Sequence, residues 1–334
     1  MHSLWYAGID VSCRTLDVSM RDAPSRQARA ARFENTAEGY RKLIRWLTKR
    51  GRQVRVVLES TGIYSLDVSL ALHGSKGVEV MVVNPQAARK FADAQMQRSS
   101  TDATMALALQ EFCARMDFVP WVPPAEDRRE LRDLSRRIAA LTTEKTRELN
   151  RLHASEACEV SSAAVCKDLD LHIAYLEQRI EALEESALDL IRNTPDLKQA
   201  HARLVSTYGI ADTSAIQLLG ELLVLPAGMT ARQWVAHCGL DVRVVTSGTS
   251  VHKTPRISKK GNARVRRALY MPALVAIQGE PHVRAFYEQL LAAGKAPLQA
   301  VVAVMRKLLH SIYGMLKTNT DFDGAKFRRL PINA

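Results

Sequence analysis

The first 115 residues alternate between strand-like and helix-like segments, and that order leaves few folds open. "LWYAGIDVS" (4–12), "LDVSMRD" (16–22) and "ARFENT" (31–36) are short, turn-bounded runs suited to three successive strands. In "NTAEGYRKLIRWLTKRG" Asn35 is placed to cap a helix and Glu38 follows three positions on. Tyr40, Leu43, Ile44 and Leu47 then form an apolar stripe that stops before Gly51. "VRVVLES" (54–60) predicts a buried strand, 63–74 a helix, "VEVMVVN" (78–84) a strand and 86–97 a helix. The order β-β-β-α-β-α-β-α predicts an α/β domain in which strand ends lie side by side.

"VPWVPPAED" (119–127) ends this pattern, because three prolines within five residues cannot continue a helix. Beyond it Leu131, Leu134, Ile138 and Leu141 recur at heptad spacing. Leu169, Ile173, Leu176, Ile180, Leu183, Ala187 and Leu190 then keep alternating steps of four and three. Charged outer faces suit both helices to a helical hairpin or to an intermolecular coiled coil, and few partner helices nearby favour oligomerisation as a dimer or tetramer. From Pro195 onward the chain reads as mainly helical, all-α, with an irregular stretch at 242–261 and helices at 262–278 and 297–317. Expected domains are therefore 1–118, a proline linker with coiled-coil helices at 119–194, and a basic helical region at 195–334.

Charge is segregated between these parts. The formal net charge is +12, and residues 230–334 hold 17 Lys or Arg against 5 Asp or Glu, so this segment accounts for the whole excess. Clustered cations of this kind gain from phosphate neutralisation and counterion release, which predicts a nucleic-acid partner. Five cysteines at 13, 113, 158, 166 and 238 show neither CxxC spacing nor an even count, which disfavours a zinc site or disulfide framework and fits a reducing cytoplasm. No window approaches the roughly 20 apolar residues of a membrane span, so no membrane association is expected.

Asp10 ends the first strand in "GID", Glu59 the fourth in "LES", and Asp102 opens the helix after the last strand. Adjacent strand ends would bring these carboxylates together, and oxygen-rich clusters suit Mg²⁺ in phosphoryl transfer. "TSGTSVHKTPRISKKGN" (246–262) places Ser247, Ser250 and Ser258 among Lys253, Arg256, Lys259 and Lys260 without an acidic residue. Arg264, Arg266 and Arg267 extend the basic run. By composition any of the three serines could be a nucleophile beside bound phosphates. "LVSTYGIADTSAIQLLGEL" (204–222) has the helix–turn–helix layout of hairpins that offer backbone amides to phosphate.

"YAGIDVS", "VVLESTGIY", "VVNPQAARKFA", "STDATMALALQEFC" and "GTSVHKTPRISKKGNARVRRALYMPALVA" resemble, in this order, the DEDD-type transposases of insertion sequences, bridge-RNA-guided recombinases. The resemblance spans nearly the whole chain. It implies a ribonuclease-H/RuvC-like N-terminal domain, coiled-coil helices and a C-terminal transposase domain, with Asp10, Glu59 and Asp102 as the metal-binding acidic set and Ser247 as the catalytic serine. Donor and target DNA, a structured guide RNA held by the N-terminal and helical regions, and a homo-oligomer are the implied partners. Two departures stand out. The family's T-D-x-x-D-A helix reads "TDATMA" here, so Met105, a soft thioether, replaces the fourth acid, and Asp93 and Glu111 are out of phase to substitute. Its P-G-I-G turn reads "YGIA", with Tyr208 and Ala211. Two other readings therefore stay open: a metal-dependent junction-resolving nuclease that activates water, and a catalytically weakened nucleic-acid-binding homologue.

Overall fold

The structure is a computed structural model that describes residues 4–22, 27–60, 62, 64–96, 101–248 and 251–328, with 251–254 described by backbone alone. It divides into two compact units, Met1–Pro123 and Pro124–Ala334.

The first unit is built on strands β1 (Leu4–Val11), β2 (Thr15–Arg21), β3 (Arg29–Glu34), β4 (Gln53–Glu59) and β5 (Val78–Val83), in the sheet order β3-β2-β1-β4-β5. The β1–β2 and β2–β3 pairs are antiparallel hairpins, and β4 and β5 join parallel to β1 and to each other. Helices α1 (Ala37–Leu47) and α2 (Leu66–His73) carry the crossovers, and α3 (Pro85–Ala94) and α4 (Asp102–Arg115) follow β5. This is the α/β layout expected from the order of the elements, and it agrees with the ribonuclease-H-like domain that the resemblance implies. One cap differs. Thr36 caps α1 by accepting from Gly39 N, whereas Asn35 donates to the carbonyls of Ser12 and Tyr64 and accepts from the Tyr40 hydroxyl. Asn35 thus ties two loops together rather than ending a helix.

Gly8 determines how closely α4 lies on the sheet. A Cβ there would come within 2.2 Å of Ala106 O and Gln110 N, so only a bare Cα lets the helix cross β1 at this point. A buried Ser19 Oγ donates to Gln110 Oε1 at 2.8 Å and locks the same crossing.

The second unit begins with α5 (Glu126–Glu156) and α6 (Ala163–Asn193), two long helices packed on each other as an antiparallel hairpin. Leu169, Ile173, Leu176 and Ala187 of the heptad stripe are buried. The stripe therefore finds its partner within the same chain, the hairpin alternative of the two that its spacing allows. The base of the hairpin shares a core with α7 (Pro195–Val205), α8 (Asp212–Leu222), α9 (Ala231–His237), α10 (Ala263–Gly279), α11 (Pro281–Ala292) and α12 (Pro297–Thr318): Leu131, Ile138, Ala187 and Ile191 join Leu219, Leu269 and Leu308 in it. Where the sequence reads as irregular at 242–261, the chain forms an antiparallel hairpin of β6 (Val242–Ser247) and β7 (Val251–Ile257). Val242, Val244, Val245, Val251 and Ile257 supply the strand preference, and Pro255 sits in a two-stranded ribbon where a missing N–H can face solvent. Among the described residues no helix is long and apolar enough to cross a membrane.

Candidate active site and nucleic-acid interface

Parallel pairing of β1 with β4 runs Ile9 opposite Leu58, so Asp10 and Glu59 emerge together from neighbouring strand ends. Thr101 caps α4 by accepting from Thr104 N, and the reciprocal Thr104 hydroxyl accepts from Thr101 N. Asp102 is thereby fixed as the first residue of α4. Asp10, Glu59 and Asp102 line one cavity of about 300 Å³ together with Gln86, Arg89, Thr101 and Met105. All three carboxylates expected from the sequence thus border one cavity.

Their proximity shows in their acidities. Burial, and then repulsion from Asp102, Glu59 and Asp17, push the Asp10 carboxyl up to about 6, against the Val11 backbone N–H that pulls it down. Glu59 is also held above its ordinary value by burial, with Arg89 on α3 pulling the other way. Among the described residues no three of His, Cys, Asp and Glu are gathered closely enough to grip one ion as they stand. The donor set nevertheless fits a hard divalent cation. Mg²⁺ needs only one or two carboxylates while keeping several waters, and the cavity leaves room for them.

Two neighbours of this cavity escape a reading of strand ends. Asp17 on β2 lies directly opposite Asp10, 7 % exposed, and Arg32 Nε donates to both of its oxygens at 2.9 and 3.1 Å. The short turn between "GIDVS" and "TLDVS" contains the signal, since hairpin register puts the two Asp across from each other. Arg89 is the other, brought to the rim by the Asn84-capped α3. Met105 also lines the cavity, and its side chain packs against the apolar cluster of Val57, Val83, Ala88, Leu109 and Phe112. Glu111 is engaged elsewhere, with Arg21 and with Arg115.

Of the serine candidates, Ser247 ends β6, exposed and opposite Val251, with Gly248 in the left-handed region (φ 55°) immediately after it. Ser258 is committed to structure: its Oγ donates to Asp241 Oδ1 at 2.5 Å and accepts from Lys260 N at 3.3 Å. Ser250 and the Lys253 side chain lie outside the described residues. Arg256, Lys259 and Lys260 are exposed on or just after β7, as are Arg264 and Arg267 on α10. Arg267 also donates to Thr143 Oγ1 at 3.0 Å. Arg266 is half-buried and donates to the Cys238 carbonyl at 2.8 Å, which gives it a structural bond. Arg243, absent from the basic run that the sequence suggests, pairs directly across the ribbon from Arg256. Like charges at such positions are unfavourable without an anion between them.

The turn between α7 and α8 does not present itself as a phosphate cradle. A Cβ on Gly209 would meet Pro272 O, a Cβ on Gly279 would meet the Tyr208 ring, and Asp212 already fills the first turn of α8. This turn is packed onto α10.

Comparison with known proteins matches both ends of this layout. Residues 7–155 match the transposase family of DEDD type named for IS110, and residues 201–288 match the family described as Transposase IS116/IS110/IS902. The chain is 27% identical to the pilin gene-inverting protein of Moraxella bovis over 95% of its own length and 97% of that protein's, and equally so to its counterpart in Moraxella lacunata. It is also 26% identical to an uncharacterised 43.6 kDa protein of insertion element IS110 from Streptomyces coelicolor, over 46% of this chain and 39% of that one. With both parts matched in chain order, the acidic cavity in one and the basic ribbon in the other, the chain belongs to the IS110/IS116/IS902 transposases and is a DNA transposase/recombinase.

Proposed function

We propose that the chain cuts and rejoins DNA through a covalent phosphoserine on Ser247, moving an insertion sequence under the direction of a structured guide RNA. Ser247 Oγ attacks the phosphorus of a phosphodiester, its proton passes to solvent or a nearby base, and the sugar oxygen leaves as a hydroxyl. A hydroxyl of the new partner strand then attacks the phosphoserine, releasing Ser247 and conserving the bond. The family is metal-dependent. Mg²⁺ held by Asp10, Glu59 and Asp102 would stabilise charge on the attacking and leaving oxygens. Donor and target DNA are contacted by Lys253, Arg256, Lys259, Lys260, Arg264, Arg266 and Arg267, to which Arg243 is added. The enzyme works as a homo-oligomer, dimer or tetramer, in the cytoplasm.

One observation carries this reading: an exposed serine at the end of a strand, on a ribbon that sets Arg243 directly opposite Arg256. The relatives named for inverting a pilin gene are in keeping with rejoining as well as cutting. Incubating the chain with end-labelled DNA and Mg²⁺ and running a denaturing gel tests it. A protein–DNA adduct supports the phosphoserine, and cleavage without adduct favours the water-activating nuclease.

The opposed arginines give a second test. Arg243→Ala and Arg256→Ala should each weaken DNA binding about equally for unrelated sequences and reduce the slope of log affinity against log salt by about 1. An unchanged slope in both would remove the ribbon from the phosphate contacts.

Packing of Met105 into an apolar cluster beside the carboxylates favours a weakened member of the family as the second reading. Met105→Asp should lower the melting temperature of the metal-free chain, because it adds like charge beside Asp10 and Asp102. It should enlarge the rise in melting temperature on adding Mg²⁺ and speed strand cleavage by about tenfold or more. No gain in either Mg²⁺ response or cleavage would show that Met105 is not a defect.

A further inference from the structure

Glu221, in the last turn of α8, is 3 % exposed. A buried carboxylate is costly unless paired and fully hydrogen-bonded, and this one is served from two other elements. Arg136 of α5 donates Nε to Oε1 at 2.7 Å and Nη2 to Oε2 at 3.0 Å, and Asn262 Nδ2 donates to Oε2 at 2.7 Å. Burial alone would raise the pKa of Glu221. The hydrogen bonds and charge of Arg136, followed by the bond from Asn262, outweigh it and hold the group below its ordinary value. Gly220 lets the helices meet here, since a Cβ on it would come within 2.5 Å of Ser135 Oγ.

Asn262 uses its other end as a cap. Its Oδ1 accepts from Arg264 N at 2.9 Å and Val265 N at 3.4 Å, closing the start of α10. Its backbone N donates to His237 O at 2.7 Å, and just before it Lys259 N donates to Gly239 O and Ser258 N to Asp241 O. The stem of the β6–β7 ribbon is thus tied to the end of α9 and, through one amide, to Glu221. A two-stranded ribbon has little rigidity of its own, so its direction is set where it is rooted.

From these contacts we infer that Glu221 is a positioning residue for strand cleavage: through Asn262 it sets the angle at which the ribbon carries Ser247 out of the helical unit. The inference rests on Ser247 as the nucleophile. Seven residues of β7 make a lever of about 20 Å, so a rotation of about 5° at its root moves Ser247 by about 2 Å. A misplacement of about 1 Å can cost about a hundredfold in rate. Binding of DNA along the ribbon tolerates such a shift, and in-line attack does not.

The test reverses the polarity of the link in the full chain. Asn262→Asp keeps a cap for α10 but sets two carboxylates against each other; Asn262→Ser keeps the cap and only severs the link. The double exchange Glu221→Gln with Asn262→Asp restores one donor and one acceptor between these two residues without changing the charge of the cluster, and gives up only the bond from Arg136 Nη2 to the shared oxygen. Spin labels at Thr246→Cys and Ala139→Cys, with Cys13, Cys158 and Cys166 replaced by Ser, report the ribbon's direction independently of catalysis. Single-turnover cleavage and DNA affinity are measured below the melting temperature of every variant. Both single variants should shift or broaden the label distance by about 2 Å and lower the cleavage rate constant about 10- to 100-fold, with Kd for DNA within about threefold. The double exchange should move both back toward the parent. Label distances that stay at the parent value in folded Asn262→Ser and Asn262→Asp would overturn the inference. Failure of the nucleophile assignment is separate, since an adduct persisting in Ser247→Ala leaves the label distances untouched.

Discussion

Ser247→Ala should abolish the covalent protein–DNA adduct and lower strand cleavage by roughly 10⁴-fold or more, with melting temperature and DNA affinity near those of the parent. The side chain is exposed at the end of β6, so its loss should cost little stability. The outcome for Ser258→Ala should be the reverse in kind. That hydroxyl links Asp241 to the exit of β7, so its removal should loosen the ribbon and lower the melting temperature, while the adduct still forms. Single-turnover assays on denaturing gels, with thermal melting alongside, distinguish the two. An adduct that survives Ser247→Ala moves the nucleophile elsewhere.

The second large effect belongs to Asp10. Its carboxyl is pushed up to about 6, above the value of about 3.9 for an unperturbed aspartate, so the folded chain holds this proton more tightly than the unfolded chain does. For this group, stability is greatest below about pH 4, falls as pH rises through that window, and stays reduced above about 6. A cation in the cavity opposes the loss. Asp10→Asn should therefore raise the melting temperature of the metal-free chain at pH 7.5, abolish the stabilisation that Mg²⁺ gives the parent, and reduce cleavage by about a thousandfold or more. In the parent, the Mg²⁺-induced rise in melting temperature should shrink as pH falls below about 6, where protons compete for Asp10. A Mg²⁺ response that is independent of pH and persists in Asp10→Asn would take Asp10 out of the metal site.

These sites differ in how far the sequence reveals them. Asp10 and Glu59 are legible because parallel strands in one sheet end on one side, and the capping pattern of Thr101 and Thr104 marks where α4 begins with Asp102. The ribbon carrying Ser247 is hidden by its own chemistry: Pro255 and the interleaved cations mask the valines that make it two strands. Asn35 satisfies every local rule for a cap and yet serves a contact with Tyr64, 29 residues away, that no local rule can foresee. Glu221 lies further still from local reasoning. Its partner Arg136 is 85 residues distant, on a helix whose heptads suggest only an apolar seam. The seam itself is correctly periodic, but periodicity does not say whose helix fills it, and here α5 does.

A phosphoserine at one position is open to direct mapping. The adduct is trapped with a DNA substrate that resists rejoining, digested with nuclease and protease, and its modified peptide sequenced by mass spectrometry. The expected result is a single phosphorylated residue, Ser247, formed only with a divalent ion and absent from Asp10→Asn. Phosphate on Ser250 or Ser258, or cleaved DNA with no modified peptide at all, would contradict it.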